Sequence, residues 1–345
     1  MPSIYDVARY AKVSAATVSL TVNSKGKISE RTRKRVLAAC TKLRYQPHPT
    51  ARFLPKLRSR ERNNVRSGLF AFTPIIEPGT DATYVEFLNG VAKLGIRENK
   101  MIVYQPVQQG QESQVSFING LGIDGRLVIG LVDDHILELF QSQNRPLVVM
   151  GDHQCKKPVW NVALDHHAAG QLVVQHLWGL DHRRLALFCQ SKNSIYQSEF
   201  KRGFVDALTQ KGLREGEYDI IGDVPSGDEI VELLRRTERR PTAVIAIEGG
   251  RAAHTLMRAR EMGLKTPDDF SLMLFGQGNT PLNGQMLTYM DPCQEEIGRR
   301  STELVMRLAE NETKETPSRT LVSSRVVEGE TCAAPGASRS TPHVS

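Results

Sequence analysis

Three short clusters carry side chains able to do chemistry: Asp133-Asp134-His135, Asp152-His153 and Asp165-His166-His167. A carboxylate beside an imidazole could serve as general acid and base, or could begin a metal site. Adjacent residues on a strand or helix point to different sides, so His166 and His167 cannot hold one ion together without a ligand from elsewhere. The spacings H-x-x-x-H and H-x-x-E-H do not occur. Nor do a G-x-S-x-G elbow, a phosphate loop ending in Lys-Ser/Thr or a G-x-G-x-x-G that opens a helix. The five cysteines, Cys40, Cys155, Cys189, Cys293 and Cys332, are scattered without C-x-x-C spacing, which supports neither a disulfide framework nor a zinc site and fits a reducing cytoplasm. The expectation is a protein that is no enzyme and uses no metal or cofactor. Asp165 reads as a helix cap or sheet-switch residue, and His182 as a packing residue at a lobe surface.

The chemistry that remains is recognition of a polyanion. Residues 1–62 hold 15 Lys and Arg against 3 Asp and Glu, which leaves 30 against 35 for the rest. A basic head on a mildly acidic body suggests nucleic acid for the head and another task for the body. Ser3 can cap a helix over about 4–11, with Asp6 completing a capping box and Ile4, Val7, Ala8 and Ala11 forming the apolar stripe. After a turn at Lys12 and Val13, Ser14 can cap a second helix over about 15–22 whose Val18 and Val22 point inward. Ser29 starts a third over 30–43, burying Val36, Leu37, Cys40 and Leu43 and exposing Arg31, Arg33, Lys34, Arg35 and Lys42. This is a helix-turn-helix arrangement, in which the second helix enters the major groove with its N-terminal residues first. Its residues are small: Ala15 and Ala16 allow close approach and can meet thymine methyls, Ser14 and Thr17 can bond a phosphate or base edge, and Leu20 adds an apolar contact. Phosphate contacts fall to Ser3, Arg9, Lys12, Asn23, Lys25, Lys27 and Arg31.

From Ser67 onward short apolar runs alternate with helical patterns. GLFAF precedes a helix near 83–98, MIVYQ one near 111–120, and RLVIGLV one near 134–143 before PLVVMG. The second half continues with LALFC, a helix near 195–211, YDII, a helix near 227–236, AVIAI, a helix near 250–262 and SLMLF. Such alternation implies parallel sheets with right-handed crossovers, hence an α/β body of two halves with a ligand cleft at the carboxyl ends of the strands. The longest strongly apolar run, Leu127–Val132, is far too short to span a membrane, and the first residues lack the apolar core of a signal segment.

The head resembles that of the lactose-repressor/galactose-repressor family. The matching pieces are D-V-A-x-x-A-x-V-S-x-x-T-V-S from Asp6 to Ser19, Asn23, S-x-x-T-R-x-x-V from Ser29 to Val36, Tyr45-x-Pro47, and Ala51 with Leu54. The resemblance implies that Ala15, Ala16 and Leu20 hold base-reading positions. It also implies that Ala51 and Leu54 belong to a hinge helix whose leucine wedges into the minor groove at the centre of the site. His48 in place of the usual Asn, and Pro55 directly after Leu54, depart from the pattern and suggest a hinge of a single turn.

At lower density the likeness continues into the body, which is similar to type I periplasmic binding proteins, through Asp165 with Gly170, L-x-x-L-D-H-R-R at 177–184, R-G-F-x-x-A-L at 202–208, P-T-A-V at 241–244, G-L-x-x-P-D-D-F-S at 263–271 and a terminal strand LVSSRVVEG. The expected fold is therefore an N-terminal all-α helix-turn-helix head plus an α/β two-lobed type I periplasmic-binding-protein-like body. The expected domains are 1–46 for the head, 47–66 for hinge and linker, 67–332 for the effector-binding and dimerisation body, and 333–345 for a flexible tail. Three effector positions depart from the family: Phe200 replaces an arginine, Glu248-Gly249 replaces Asn-Asp, and Phe275-Gly276-Gln277 replaces Phe-Asp-Asp. A cleft so changed cannot hold a polyhydroxylated sugar by the family's hydrogen bonds. Phe200, Glu248, Gln277 and Asp165 are the candidate effector contacts. The implied function is a cytoplasmic transcriptional regulator, a repressor acting as a homodimer on a double-stranded, pseudo-palindromic operator under control of a small-molecule effector. A DNA-binding dimer with an effector-independent body and a small-molecule binder without regulatory action stand as alternatives.

Overall fold

In a computed structural model, α1 (Ile4–Tyr10), α2 (Ala15–Val22) and α3 (Glu30–Lys42) form where the apolar spacing places them. The structure describes residues 4–22, 28–43, 68–76, 84–110, 122–141, 145–189, 195–222, 228–236, 238–247, 249–282, 284–310 and 316–336. The chain divides into two compact units, Met1–Leu69 with Ser113–Asp124 and Phe70–Glu112 with Gly125–Ser345.

In the first unit Val7, Ala8, Ala11, Val18, Val36 and Ala39 close a small core of their own. Between α1 and α2 the chain reverses through Lys12, whose φ of 50° is left-handed. That conformation costs a residue with a Cβ about 1–2 kcal/mol. The turn is held by the Ala11 amide on the Val7 carbonyl at 2.8 Å and the Val13 amide on the Ala8 carbonyl at 3.0 Å. Leu37 departs from expectation, being 48% exposed rather than buried. On a helix the buried line runs through Val36, Ala39, Cys40 and Leu43, and Leu37 lies a further 100° round from Val36.

The second unit opens with β1 (Leu69–Ile76), α4 (Val85–Arg97), β2 (Met101–Tyr104), β3 (Val107–Gln108), β4 (Gly125–Gly130), α5 (Asp134–Gln141), β5 (Leu147–Met150) and β6 (Trp160–Leu164). It continues with α6 (His166–Gly179), β7 (Leu185–Phe188), α7 (Ile195–Gln210), β8 (Asp219–Ile221), α8 (Asp228–Arg235), β9 (Ala243–Ile247), α9 (Gly249–Glu261), β10 (Ser271–Phe275), β11 (Thr288–Asp291), α10 (Gln294–Ala309), β12 (Arg319–Val322) and β13 (Arg325–Val327). The strands form two sheets, one ordered β12-β6-β5-β4-β1-β2 with β3 on β1, the other β13-β11-β10-β9-β7-β8. β5, β7, β9 and β10 are buried along their whole length, as strands covered on both faces must be. The segment expected as one terminal strand is two. Leu321 pairs in parallel with Ala163 of the first sheet, whereas Val326 pairs antiparallel with Met290 of the second. The chain thus crosses between lobes at Ser323 and Ser324.

A single buried cluster runs through both lobes, from Phe70, Leu127 and Val148 to Leu185, Ile245 and Met273. Where α6 meets α7 the backbones touch: a Cβ on Gly170 would stand 2.1 Å from the Phe200 carbonyl, and one on Gly203 would stand 1.9 Å from that of His167. His182 is buried at 1% exposure rather than set at a surface. Its ring bonds Thr242 Oγ1 at 2.9 Å and Ser271 Oγ at 3.0 Å. Burial pushes the imidazole down to about 4. Ser271 Oγ also bonds both the carbonyl and the amide of Ala333, each at 3.0 Å. Ala333, the first residue of the expected tail, is therefore fastened to β10, and residues 337–345 lie outside the described residues.

Candidate nucleic-acid interface and inter-lobe cleft

The N-terminus of α2 is built by Ser14, whose Oγ accepts the Thr17 amide at 3.1 Å and lies 2.9 Å from Thr17 Oγ1. The cap satisfies an otherwise unpaired donor at the end that would face the groove. Val18 anchors the opposite face, and Thr21 is fixed by its own hydroxyl on the Thr17 carbonyl at 2.8 Å. Ala16 and Leu20, one turn apart, are thereby turned outward together, with Leu20 42% exposed. Ala15 is half-buried against the head's core and Thr17 is also half-buried. The outward surface of α2 is small and apolar, which suits close approach to thymine methyls rather than long-range hydrogen bonding.

Arg9, Lys12 and Arg31 are exposed, and Arg9 meets Asp6 at 3.7 Å. Ser3, Asn23, Lys25 and Lys27 lie outside the described residues, as do Ala51 and Leu54 of the expected hinge.

In the body, a cleft of about 490 Å³ opens between the lobes at the carboxyl ends of β4, β5, β6, β9 and β10. Its aromatic wall is Tyr84, Phe87 and Phe275, and its aliphatic wall includes Ile129, Met150 and Ile247. Asp152, His166 and Gln294 supply polar side chains. His166 Nε2 stands 2.9 Å from Asp152 Oδ2, and Arg319 reaches Asp152 Oδ1 at 3.3 Å. The neighbouring His167 turns away to Asp206 of α7 at 2.8 Å, so the two imidazoles do point apart.

The four expected effector contacts separate. Asp165 caps α6 by accepting the Ala168 amide at 2.9 Å, and so places His166 at the cleft rather than entering it. Phe200 is fully buried, with its ring centroid 4.6 Å from that of Phe275. This corrects the expectation of a wall residue: on α7, Phe200 and Phe204 share the core-facing side one turn apart, and Phe200 backs the wall from behind. Gln277 is exposed at the edge, bonding Gln294 Oε1 at 3.2 Å. Glu248 lies outside the described residues. Asp152 and His166 were visible only as ionisable clusters. Their position directly after β5 and β6 is the signal that could have marked them as cleft residues.

Fold and site together define a regulator with a helix-turn-helix head and a periplasmic-binding-protein-like body. Residues 3–48 match the family "Bacterial regulatory proteins, lacI family", and residues 174–332 match the "Periplasmic binding protein-like domain". Catabolite control protein A of Priestia megaterium is 28% identical over 322 residues, spanning 90% of this chain and 93% of that protein. The HTH-type transcriptional repressor CytR of Escherichia coli (strain K12) is 25% identical over 338 residues, 96% of each chain. Among solved structures, a lac repressor dimer bound to operator and an anti-inducer aligns with a TM-score of 0.64 at 20% identity, covering 96% of this chain and 99% of that one. A LacI-family regulator from Silicibacter pomeroyi aligns with a TM-score of 0.65 at 22% identity, covering 96% and 99%.

The chain belongs to the lactose-repressor/galactose-repressor family, and is a DNA-binding transcriptional regulator. These relatives are named as regulators rather than enzymes. No described helix is long and apolar enough to cross a membrane.

Proposed function

We propose that the protein is a cytoplasmic repressor that binds a pseudo-palindromic operator as a homodimer and changes its grip when a small molecule occupies the inter-lobe cleft. The observation that carries this reading is the outward pairing of Ala16 and Leu20 on a capped helix flanked by exposed Arg9, Lys12 and Arg31. Residues 1–46 act as the reading head, 47–66 as hinge and linker, and 67–332 as body. Ser14, Ala15, Ala16, Thr17 and Leu20 take the bases, and Ser3, Asn23, Lys25 and Lys27 join the exposed cations on phosphates, with Ala51 and Leu54 at the central minor groove.

Dimerisation is supported by an apolar surface on one edge of the first lobe. Ile96 at the end of α4 is 80% exposed, and Met101 and Tyr104 of the edge strand β2 are 63% and 51% exposed. A side-chain set of this kind on an edge strand is suited to cover by a second copy. Selection of bound duplexes from a random pool tests the whole reading. The expected product is an inverted repeat; failure to retain any duplex at low ionic strength overturns it.

A further inference from the structure

We propose that the inter-lobe cleft takes a small, uncharged aromatic molecule bearing one hydrogen-bonding group, not a sugar or an organic acid. This rests on the effector reading above and adds the ligand's chemistry. Among the described residues that line the cleft there is no lysine or arginine, so a buried carboxylate or phosphate would lack a charge partner there. The lining carboxylate, Asp152, already has one oxygen on His166 at 2.9 Å and the other facing Arg319 at 3.3 Å. Its charge is compensated, so it neither demands a cationic ligand nor stands ready to clamp two sugar hydroxyls.

The rest of the surface is suited to a flat ring. Phe275 is held from behind by Phe200 at 4.6 Å and from the side by the His166 ring at 6.1 Å and 74°. A ring braced on two sides presents the small part of its surface that stays exposed to the cleft without further loss of side-chain freedom, and an aromatic partner gains from ring-to-ring geometry beyond area burial. Phe87 and Tyr84 stand edge to face at 6.4 Å within the same wall. Burial raises the Tyr84 hydroxyl above its ordinary value, with Tyr104 adding to the effect, so it remains a neutral donor. Tyr84 and the Gln294 amide can serve one polar group on the ligand. A sugar would bring several hydroxyls to these few partners, and each one left unpaired would lose its hydration without a replacement bond. A volume of about 490 Å³ accommodates a substituted ring system.

Calorimetry of the full chain with indole, benzoate and ribose at equal concentration, each repeated with operator present, tests the assignment. Indole is expected to bind, while benzoate and ribose do not. Phe275→Ala should weaken indole binding about tenfold or more, and Phe87→Leu, which keeps the bulk and removes the ring, by a few-fold, at about 1.4 kcal/mol per factor of ten. If Phe275→Ala fails to fold, Phe87→Leu carries the comparison. Binding of ribose or benzoate, lost in these variants, with indole silent overturns the ligand class and leaves effector control standing. Silence of all three probes also overturns the ligand class. Indole binding that leaves operator affinity unchanged upholds the ligand class and overturns the effector reading.

Discussion

Leu20 is the one large side chain that the proposed reading surface of α2 turns outward, because Val18 and Thr21 are committed to the head's interior. Leu20→Ala trims a side chain that is 42% exposed and belongs to no buried core cluster among the described residues, so it should cost the fold little. Affinity for the selected operator should fall by about 1–2 kcal/mol, while binding to unrelated duplex stays level. Competition binding on the two duplexes checks this, and equal losses on both would remove Leu20 from base reading. Arg31→Ala is the complementary case: loss of one phosphate contact should lower the slope of log K against log salt by about one, alike on every sequence. His182 carries a pH expectation. Its ring titrates near 4 in the fold and near 6.5 unfolded, so below about 6.5 the unfolded chain takes up a proton that the native one refuses. Its contribution is complete above about 6.5 and is lost as pH falls toward 4. With allowance for screening, this amounts to on the order of 1 kcal/mol between pH 7 and pH 5. Urea unfolding at the two pH values should show a larger loss in the wild type than in His182→Gln, and equal losses would exclude His182 as the cause.

At the scale of elements, the crossing of α6 and α7 is the tightest feature that glycine makes possible. Gly170 and Gly203 face carbonyls of the opposite helix, and backbone cannot swing aside as a side chain can. Gly203→Ala should therefore cost about 1–3 kcal/mol by forcing the helices apart, read as a lower urea midpoint with little change in slope. A midpoint within error of wild type would show that the helices separate freely. Most elements were legible because their burial is simple: AVIAI and SLMLF are covered on both faces, and their composition says so. LVSSRVVEG read as one strand because the break at Ser323 and Ser324 separates two pairings, and partner choice leaves no mark in local composition. The helix over Gln294–Ala309 escaped notice, since its buried positions include Gly298, Ser301 and Thr302, which carry a weak apolar signal. The cleft was hardest to read. Tyr84, Asp152, His166, Phe275 and Gln294 are brought together only by strand order, and Phe200 was misplaced because a substitution at a ligand position does not reveal which way the new side chain turns.

For the molecule as a whole, the proposed mechanism depends on two heads held at once. A head of three short helices with a small core offers limited contact, and two joined heads gain affinity because the second binds at the high local concentration set by the first. Ile96 and Met101 are exposed in the single chain, so a charge at either costs the fold little but would be buried unpaired if a second copy covers them. Met101→Asp should therefore yield a folded monomer by sedimentation, with unchanged circular dichroism. Affinity for a full inverted repeat should drop by about 10²–10⁴, while affinity for an isolated half-site stays the same. Ligand binding in the cleft of that monomer should also lose its influence on DNA, since coupling between the sites is reciprocal and acts here through the paired arrangement of heads. A variant that remains dimeric places the interface elsewhere. A monomer that binds the full repeat as tightly as wild type would mean that one head suffices, and the homodimer would drop out of the mechanism.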